Sequence, residues 1–189
     1  MQLGDLDKAA VIRTAKQMGV DPNSLAGLIH MESGFRPNVW GGDGGNYRGL
    51  IQFGPGARSE VNLPDREMTI AEQMPYVKKY FDGRGFKPGM SPVQMYRTVL
   101  VGNPYESGTD SNTTNSDTTG AQMAPGGSLY KAGQKYLGTE GMDMSNMSAA
   151  AFGSSMNPQD YLEMFLGGGS TGDTVNIYNF GERFRKDPE

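Results

Sequence analysis

The chain has 189 residues, 36% of them apolar, a net charge of −4 and no cysteine, which leaves room for one domain, or a small domain with an appendage. This composition excludes a disulfide framework and a thiolate metal site, so the fold must be held by helix packing. No apolar run approaches the about 20 residues of a membrane span, and the N-terminus lacks the basic-then-apolar order of an export leader, so neither is expected.

The first helix is predicted to start at Asp5 or Asp7, to carry Ala9, Ala10, Val11, Ile12, Ala15 and Met18, and to stop at Gly19. A second starts at Asp21-Pro22, with the acid as N-cap and proline at the first helical position, and ends at Glu32. Pro37 blocks its continuation, and Gly41 to Asn46 is expected to be an irregular loop. No strand precedes this loop and no helix with a lysine follows, so it is not read as a phosphate cradle. Gly54-Pro55-Gly56-Ala57 looks like the start of a short helix. Thr69-Ile70-Ala71-Glu72 is a capping-box pattern with Ile70, Met74, Val77 and Phe81 on one face behind it; Pro75 within that pattern predicts a kink or a later start. Tyr76 and Tyr80, on a neighbouring face, read as packing residues. Ser91-Pro92-Val93-Gln94 opens another helix, with Val93, Tyr96, Val99 and Leu100 before Gly102. A small, mainly α domain over residues 1–105 follows.

From Glu106 to Ser128 the composition turns to Ser, Thr, Asn, Asp and Gly, with no aromatic residue and no Leu, Ile or Val. Such a stretch has little apolar surface to offset its ordering entropy and is read as a flexible linker, 106–128. Beyond it, 129–189 carries a short helix capped by Ser128, a second opened by Asn157-Pro158 and ending at Gly167-Gly168-Gly169, and a strand candidate at Thr174–Phe180. These short, Met-rich pieces suit a segment ordered by another chain, and the lone strand suits addition to an assembly.

Charge divides unevenly, with twelve basic and ten acidic side chains in residues 1–105 against five and eleven in 106–189. The first part suits an anionic polymer such as a bacterial cell wall only weakly, and no basic stripe marks a nucleic-acid surface. His30 is the sole histidine, too little for a metal site, and it falls nearly opposite Glu32 on the helix, which disfavours Ser-His-Asp catalysis. No cofactor is expected.

Glu32 is the residue with chemistry in it. At about 100° per residue it shares a face with Leu25, Leu28 and Ile29, so it faces inward. Apolar neighbours and the negative end of the helix dipole both disfavour its ionised form, which is the profile of a general acid near neutral pH.

Glu32-Ser33-Gly34-Phe35-Arg36-Pro37, followed by Trp40, the glycines at 41–45, and Gly49-Leu50-Ile51-Gln52-Phe53 with Gly54-Pro55-Gly56-Ala57 behind it, resembles the soluble lytic transglycosylase and goose-type lysozyme family over roughly residues 7–105. The resemblance implies cleavage of the bond between N-acetylmuramic acid and N-acetylglucosamine in peptidoglycan, with Glu32 as acid and then base. It implies that Ser33 lies near the acid or the acetamido group and that Gln52 lines the cleft; Phe53 and Trp40 are aromatic candidates for stacking on sugar, with a place in the core the equal alternative for Trp40. In place of the family's Ala-Tyr-Asn-Ala-Gly run, this chain has Val101-Gly102-Asn103-Pro104-Tyr105, so Asn103 and Tyr105 are substrate-binding candidates in an altered setting. Asp43 is the only acid between Glu32 and Gln52. Turned toward Glu32 it would position a water for hydrolysis; turned outward, as a loop aspartate ordinarily is, it leaves the lyase route, in which the sugar's 6-hydroxyl attacks and a 1,6-anhydro end results. The organisation as a whole looks like a bacteriophage virion component that opens the wall during infection, with its C-terminal segment bound to other tail proteins. The alternative is a structural or adaptor protein whose lysozyme-like domain binds glycan or packs without turnover.

Overall fold

A computed structural model describes residues 3–110 and 112–141, and it is mainly α. In chain order it holds α1 (Leu3–Met18), α2 (Pro22–Ser33), the strand β1 (Trp40–Gly41), a 3-10 turn (Asp43–Gly45), β2 (Tyr47–Arg48), α3 (Pro55–Val61), α4 (Ile70–Gly83), α5 (Pro92–Val101), α6 (Ser116–Gln122) and α7 (Ser128–Leu137). The predicted second helix of the C-terminal part and the strand at 174–180 lie outside the described residues.

Local sequence explains most of the helix ends. The Asp21 carboxylate accepts the Asn23 N–H at 2.7 Å ahead of Pro22, and Gly34 closes α2 in the left-handed conformation with φ 57°. Both predicted capping boxes form, Thr69 with Glu72 on α4 and Ser91 with Gln94 on α5. Helix α4 starts at Ile70 and runs through Pro75, so the later start expected from that proline does not occur. Asp7 is not the cap of α1; it accepts the Ala71 N–H at 2.8 Å and ties α1 to the first turn of α4.

The core is built on α2. Leu25, Ala26, Leu28 and Ile29 are all fully buried, α1 packs on α2 and α4, and α7 packs on α2. Helix α7 comes close because glycines face the contact. A Cβ on Gly27 would lie 2.5 Å from the Leu129 carbonyl oxygen, and one on Gly133 2.1 Å from that of Asn23. Polar bonds complete the joint at the start of α2. Tyr130 donates to Asp21 at 2.9 Å, the Asn23 amide donates to the Tyr130 oxygen at 3.2 Å, and Thr139 donates to Asn23 at 2.6 Å.

Two parts of the organisation read from sequence need correction. Residues 41–46 are not simply an irregular loop: Trp40 pairs with Arg48 and Gly41 with Tyr47 as a short antiparallel hairpin around the 3-10 turn. Residues 106–128 are not a featureless linker. Thr109 and Asn115 form an antiparallel bridge, Asn115 caps α6 by accepting the Asp117 and Thr118 N–H groups, and α6 packs on α5. Arg97 on α5 grips Asp117 with two bonds of 2.7 Å, which holds the Asp117 carboxyl far below the usual carboxylate range. Polar groups supply much of this order alongside the buried Met123, and composition registers only apolar burial. In the same way α7 takes its order from α2 of its own chain rather than from another protein, so residues 129–137 belong to the compact unit.

Candidate active site

Glu32 lies in the last turn of α2, half-buried, beyond the fully buried Leu28 and Ile29. Burial is the largest influence on its carboxyl and pushes it up to about 7; hydrogen bonding from the Tyr96 hydroxyl pulls the other way, and the charge of Asp110 adds a further upward push. His30, two residues earlier, is exposed, as the helical face predicts.

Tyr96 is a residue that the sequence marks only as part of the helix opened by Ser91-Pro92. It stands on the inner face of α5, 2% exposed, and its own hydroxyl is pushed up by burial, by the charges of Glu32 and Asp110 and by its bond to Glu32. A buried tyrosine hydroxyl needs a partner, and the inward face of Ser91–Val101 pointed at this position; what could not be read was that the partner is the acid on α2. Because the Tyr96 bond favours the ionised carboxylate, Tyr96→Phe is expected to move the Glu32 titration to higher pH. Carboxyl NMR titration checks this, and a downward move would reverse the assignment.

The loop after Glu32 is fastened to α4 by residues that sequence reasoning also passed over. Gln73, fully buried, donates to the Pro37 carbonyl at 2.8 Å and accepts the Leu50 N–H at 2.6 Å, joining the two halves of the family-like motif. Gly49, with φ 85°, leaves space for it, since a Cβ there would meet the Gln73 amide oxygen at 2.3 Å. Asn38 pairs with the backbone of Met68 by two bonds of 2.9 Å. Phe35 is held at φ 60°, unusual for a bulky residue, and stacks on Tyr136 of α7 with ring centroids 3.5 Å apart.

The expected substrate-binding residues fare unevenly. The Ser33 hydroxyl is buried and donates to the Ile29 carbonyl at 3.0 Å, so it serves the helix and not an acetamido group. Phe53 is 1% exposed and packs edge-on against Tyr80, which makes it core and not a sugar platform. Gln52 is half-buried at φ 51°, and its amide donates to the Gly49 carbonyl at 3.0 Å. Asn103 accepts the Tyr105 N–H at 3.0 Å and donates to Glu106 at 2.8 Å, forming a turn after α5, while Tyr105 is 67% exposed. Asp43 opens the 3-10 turn Asp43–Gly45. Trp40 is 49% exposed and so is not core; the guanidinium groups of Arg48 and Arg58 lie 5.3 and 5.1 Å from its ring centre.

Tyr80 of α4 completes the surroundings. Its hydroxyl donates to the Thr98 carbonyl at 3.0 Å, and the charge of Glu32 is one of several influences that raise its pKa, burial being the largest. Glu32 is thus a carboxyl group that burial lets hold a proton at neutral pH and that can give it to an oxygen on which negative charge develops. Among the described residues no helix is long and apolar enough to cross a membrane. Comparison of the chain with protein families, with curated proteins and with solved structures finds no match.

Proposed function

We propose that this chain cleaves the N-acetylmuramic acid to N-acetylglucosamine bond of peptidoglycan, with Glu32 as the general acid that protonates the glycosidic oxygen. The observation that carries the reading is the state of Glu32: a desolvated carboxyl pushed up to about 7, inside the sequence pattern that resembles the lytic transglycosylases. A group with its pKa near the working pH is both protonated often enough to act and acidic enough to give its proton up. The family-like expectation is the non-hydrolytic outcome, with a 1,6-anhydro end. Action as a phage virion component bound through its C-terminal segment to tail proteins belongs to the same proposal and rests on the organisation of the sequence.

The test is muropeptide analysis of purified cell wall treated with wild type and with Glu32→Gln. General acid catalysis contributes roughly 10²–10⁴-fold, so the variant is expected to lose activity by about 10³-fold while remaining folded. Equal digestion by both proteins would remove Glu32 as the general acid.

A second reading, a glycan-binding or packing module without turnover, is favoured by one specific observation. Ser33 and Phe53 spend their hydrogen bond and their ring on the protein's own interior. Wall binding with no product from either protein would support it.

A further inference from the structure

Trp40 keeps 49% of its surface open although the hairpin that carries it is firmly fastened. The Gly49 N–H donates to the Val39 carbonyl at 3.0 Å, and the Tyr47 ring lies against the backbone of Gly42 and Gly54, where a Cβ would meet it at 2.3 and 3.2 Å. Arg48, the cross-strand partner of Trp40, is buried, and its guanidinium donates to the Pro64 and Arg66 carbonyls and to Asp65. The guanidinium carbons of Arg48 and Arg58 stand 5.3 and 5.1 Å from the indole centre, against about 3.5–4.0 Å for carbon atoms in flat contact, so neither caps the middle of the ring. A large apolar surface is thus held still in water beside two cations.

Arg58, half-buried on α3, has hydrogen-bonding capacity to spare. Its Nη1 donates to the Asn46 carbonyl at 2.6 Å and to the Phe53 carbonyl at 3.0 Å, which occupies the two hydrogens on that nitrogen and ties α3 to the hairpin. Nε and Nη2 take no acceptor among the described residues. These two nitrogens form the edge of a guanidinium that grips a carboxylate with two parallel bonds. Elsewhere the chain fills that need itself: Arg66, Arg84 and Arg97 each hold one of its own carboxylates. Glu60, the only acid of α3, is taken by Arg84 at 2.8 Å, and among the described residues no carboxylate pairs with Arg58.

We propose that Trp40 and Arg58 form a subsite for a carboxylate-bearing saccharide, with the sugar ring against the open part of the indole and the carboxylate on Nε and Nη2 of Arg58. The choice of a peptidoglycan strand as the source of that saccharide rests on the proposed function. In such a strand the carboxylate belongs either to the lactyl group of a muramic acid unit freed of its peptide or to the stem peptide, and both present an anion next to a sugar ring. Apolar contact with the indole tolerates many sugars, whereas the paired donors select for charge. Arg58 is therefore a specificity-determining residue of the subsite, and Trp40 its platform.

Trp40 is the sole tryptophan of the chain, so its fluorescence reports on this place alone. The full chain is titrated with three probes: a peptide-free tetrasaccharide of alternating N-acetylglucosamine and N-acetylmuramic acid, the same tetrasaccharide with its stem peptides, and neutral chitotetraose. At least one charged glycan should shift the fluorescence and bind about 10-fold more tightly than chitotetraose, as a charge-assisted pair of bonds provides. The tighter of the two identifies the carboxylate as lactyl or peptide. Arg58→Lys keeps the positive charge and a donor for the hairpin but has no fork, and it should reduce the preference to about 3-fold or less. No fluorescence change with any probe, equal affinity for charged and neutral glycans, or a full preference in an Arg58→Lys chain that melts with wild type would overturn the subsite. Should Arg58→Lys melt early, the comparison of probes on wild type decides alone. The same titration in Glu32→Gln separates the two readings: loss of cleavage without charge preference removes the subsite and leaves the acid, while charge preference with undiminished cleavage removes the acid and leaves the subsite.

Discussion

Alanine at Gly133 is expected to lower the melting temperature by roughly 6–12 °C, against the direction that helix propensity alone dictates. In an open helix, glycine to alanine gains up to about 1 kcal/mol. At Gly133 the added Cβ would lie 2.1 Å from the Asn23 carbonyl oxygen and 2.9 Å from the Gly27 nitrogen, and both are backbone atoms of α2 that cannot rotate away. Forcing the helices apart costs about 3 kcal/mol, and in a chain of this size each 1 kcal/mol moves the melting temperature by about 2–4 °C. Gly56 in α3 is the contrast: nothing lies within 4 Å of a Cβ there, so Gly56→Ala should be neutral or slightly stabilising. Parallel thermal melts of the two variants decide the matter. If Gly133→Ala melts with wild type, α7 does not sit on α2.

Glutamine at Glu32 should reveal the burial of the acid through stability as well as through activity. The carboxyl rises from an ordinary 4.5 to about 7 in the folded chain, so between these values the native state holds a proton that the unfolded chain has already released. Stability therefore falls as pH rises from about 4.5 to 7, and beyond 7 the loss is complete. Each unit of displacement is worth 1.36 kcal/mol, which makes the total about 3 kcal/mol. Glutamine does not titrate and still offers an oxygen to the Tyr96 hydroxyl. Denaturant unfolding of both proteins at pH 4, 5.5 and 8 should show the variant gaining on wild type by about 3 kcal/mol across the series. A difference that stays constant with pH would mean that Glu32 is well hydrated.

What could be read from the sequence follows the range of the interactions involved. The caps Asp21, Thr69 and Ser91 and the stop glycines 19 and 102 act within a few residues of themselves, and the helix ends they set stand where the pattern put them. The inward face of Glu32 is likewise a matter of helical geometry. Gln73 and Tyr96 escaped because their partners, Pro37, Leu50 and Glu32, lie far along the chain, and nothing local distinguishes a keystone amide or hydroxyl from ordinary packing. The hairpin of Trp40 to Arg48 escaped because its strands are two residues long and alternation has no length in which to show. Residues 106–128 were misjudged for a different reason. Their order is held by Asp110, Asn115 and Asp117 binding backbone and guanidinium groups, and a hydropathy argument weighs such residues only as solvent-seeking. Phe53 misled in the opposite sense, since an aromatic residue next to a cleft motif serves equally well as core.

The bonds that join Asp21 and Asn23 to Tyr130 and Thr139 span more than a hundred residues. During translation, the helix that carries the acid therefore emerges from the ribosome long before the groups that finish its first turn and cover its glycine face. Contacts so distant in sequence are slow to close. The nascent first half must wait, incompletely packed, until α7 is synthesised, so the helix that carries Glu32 acquires its final surroundings only late in the birth of the chain.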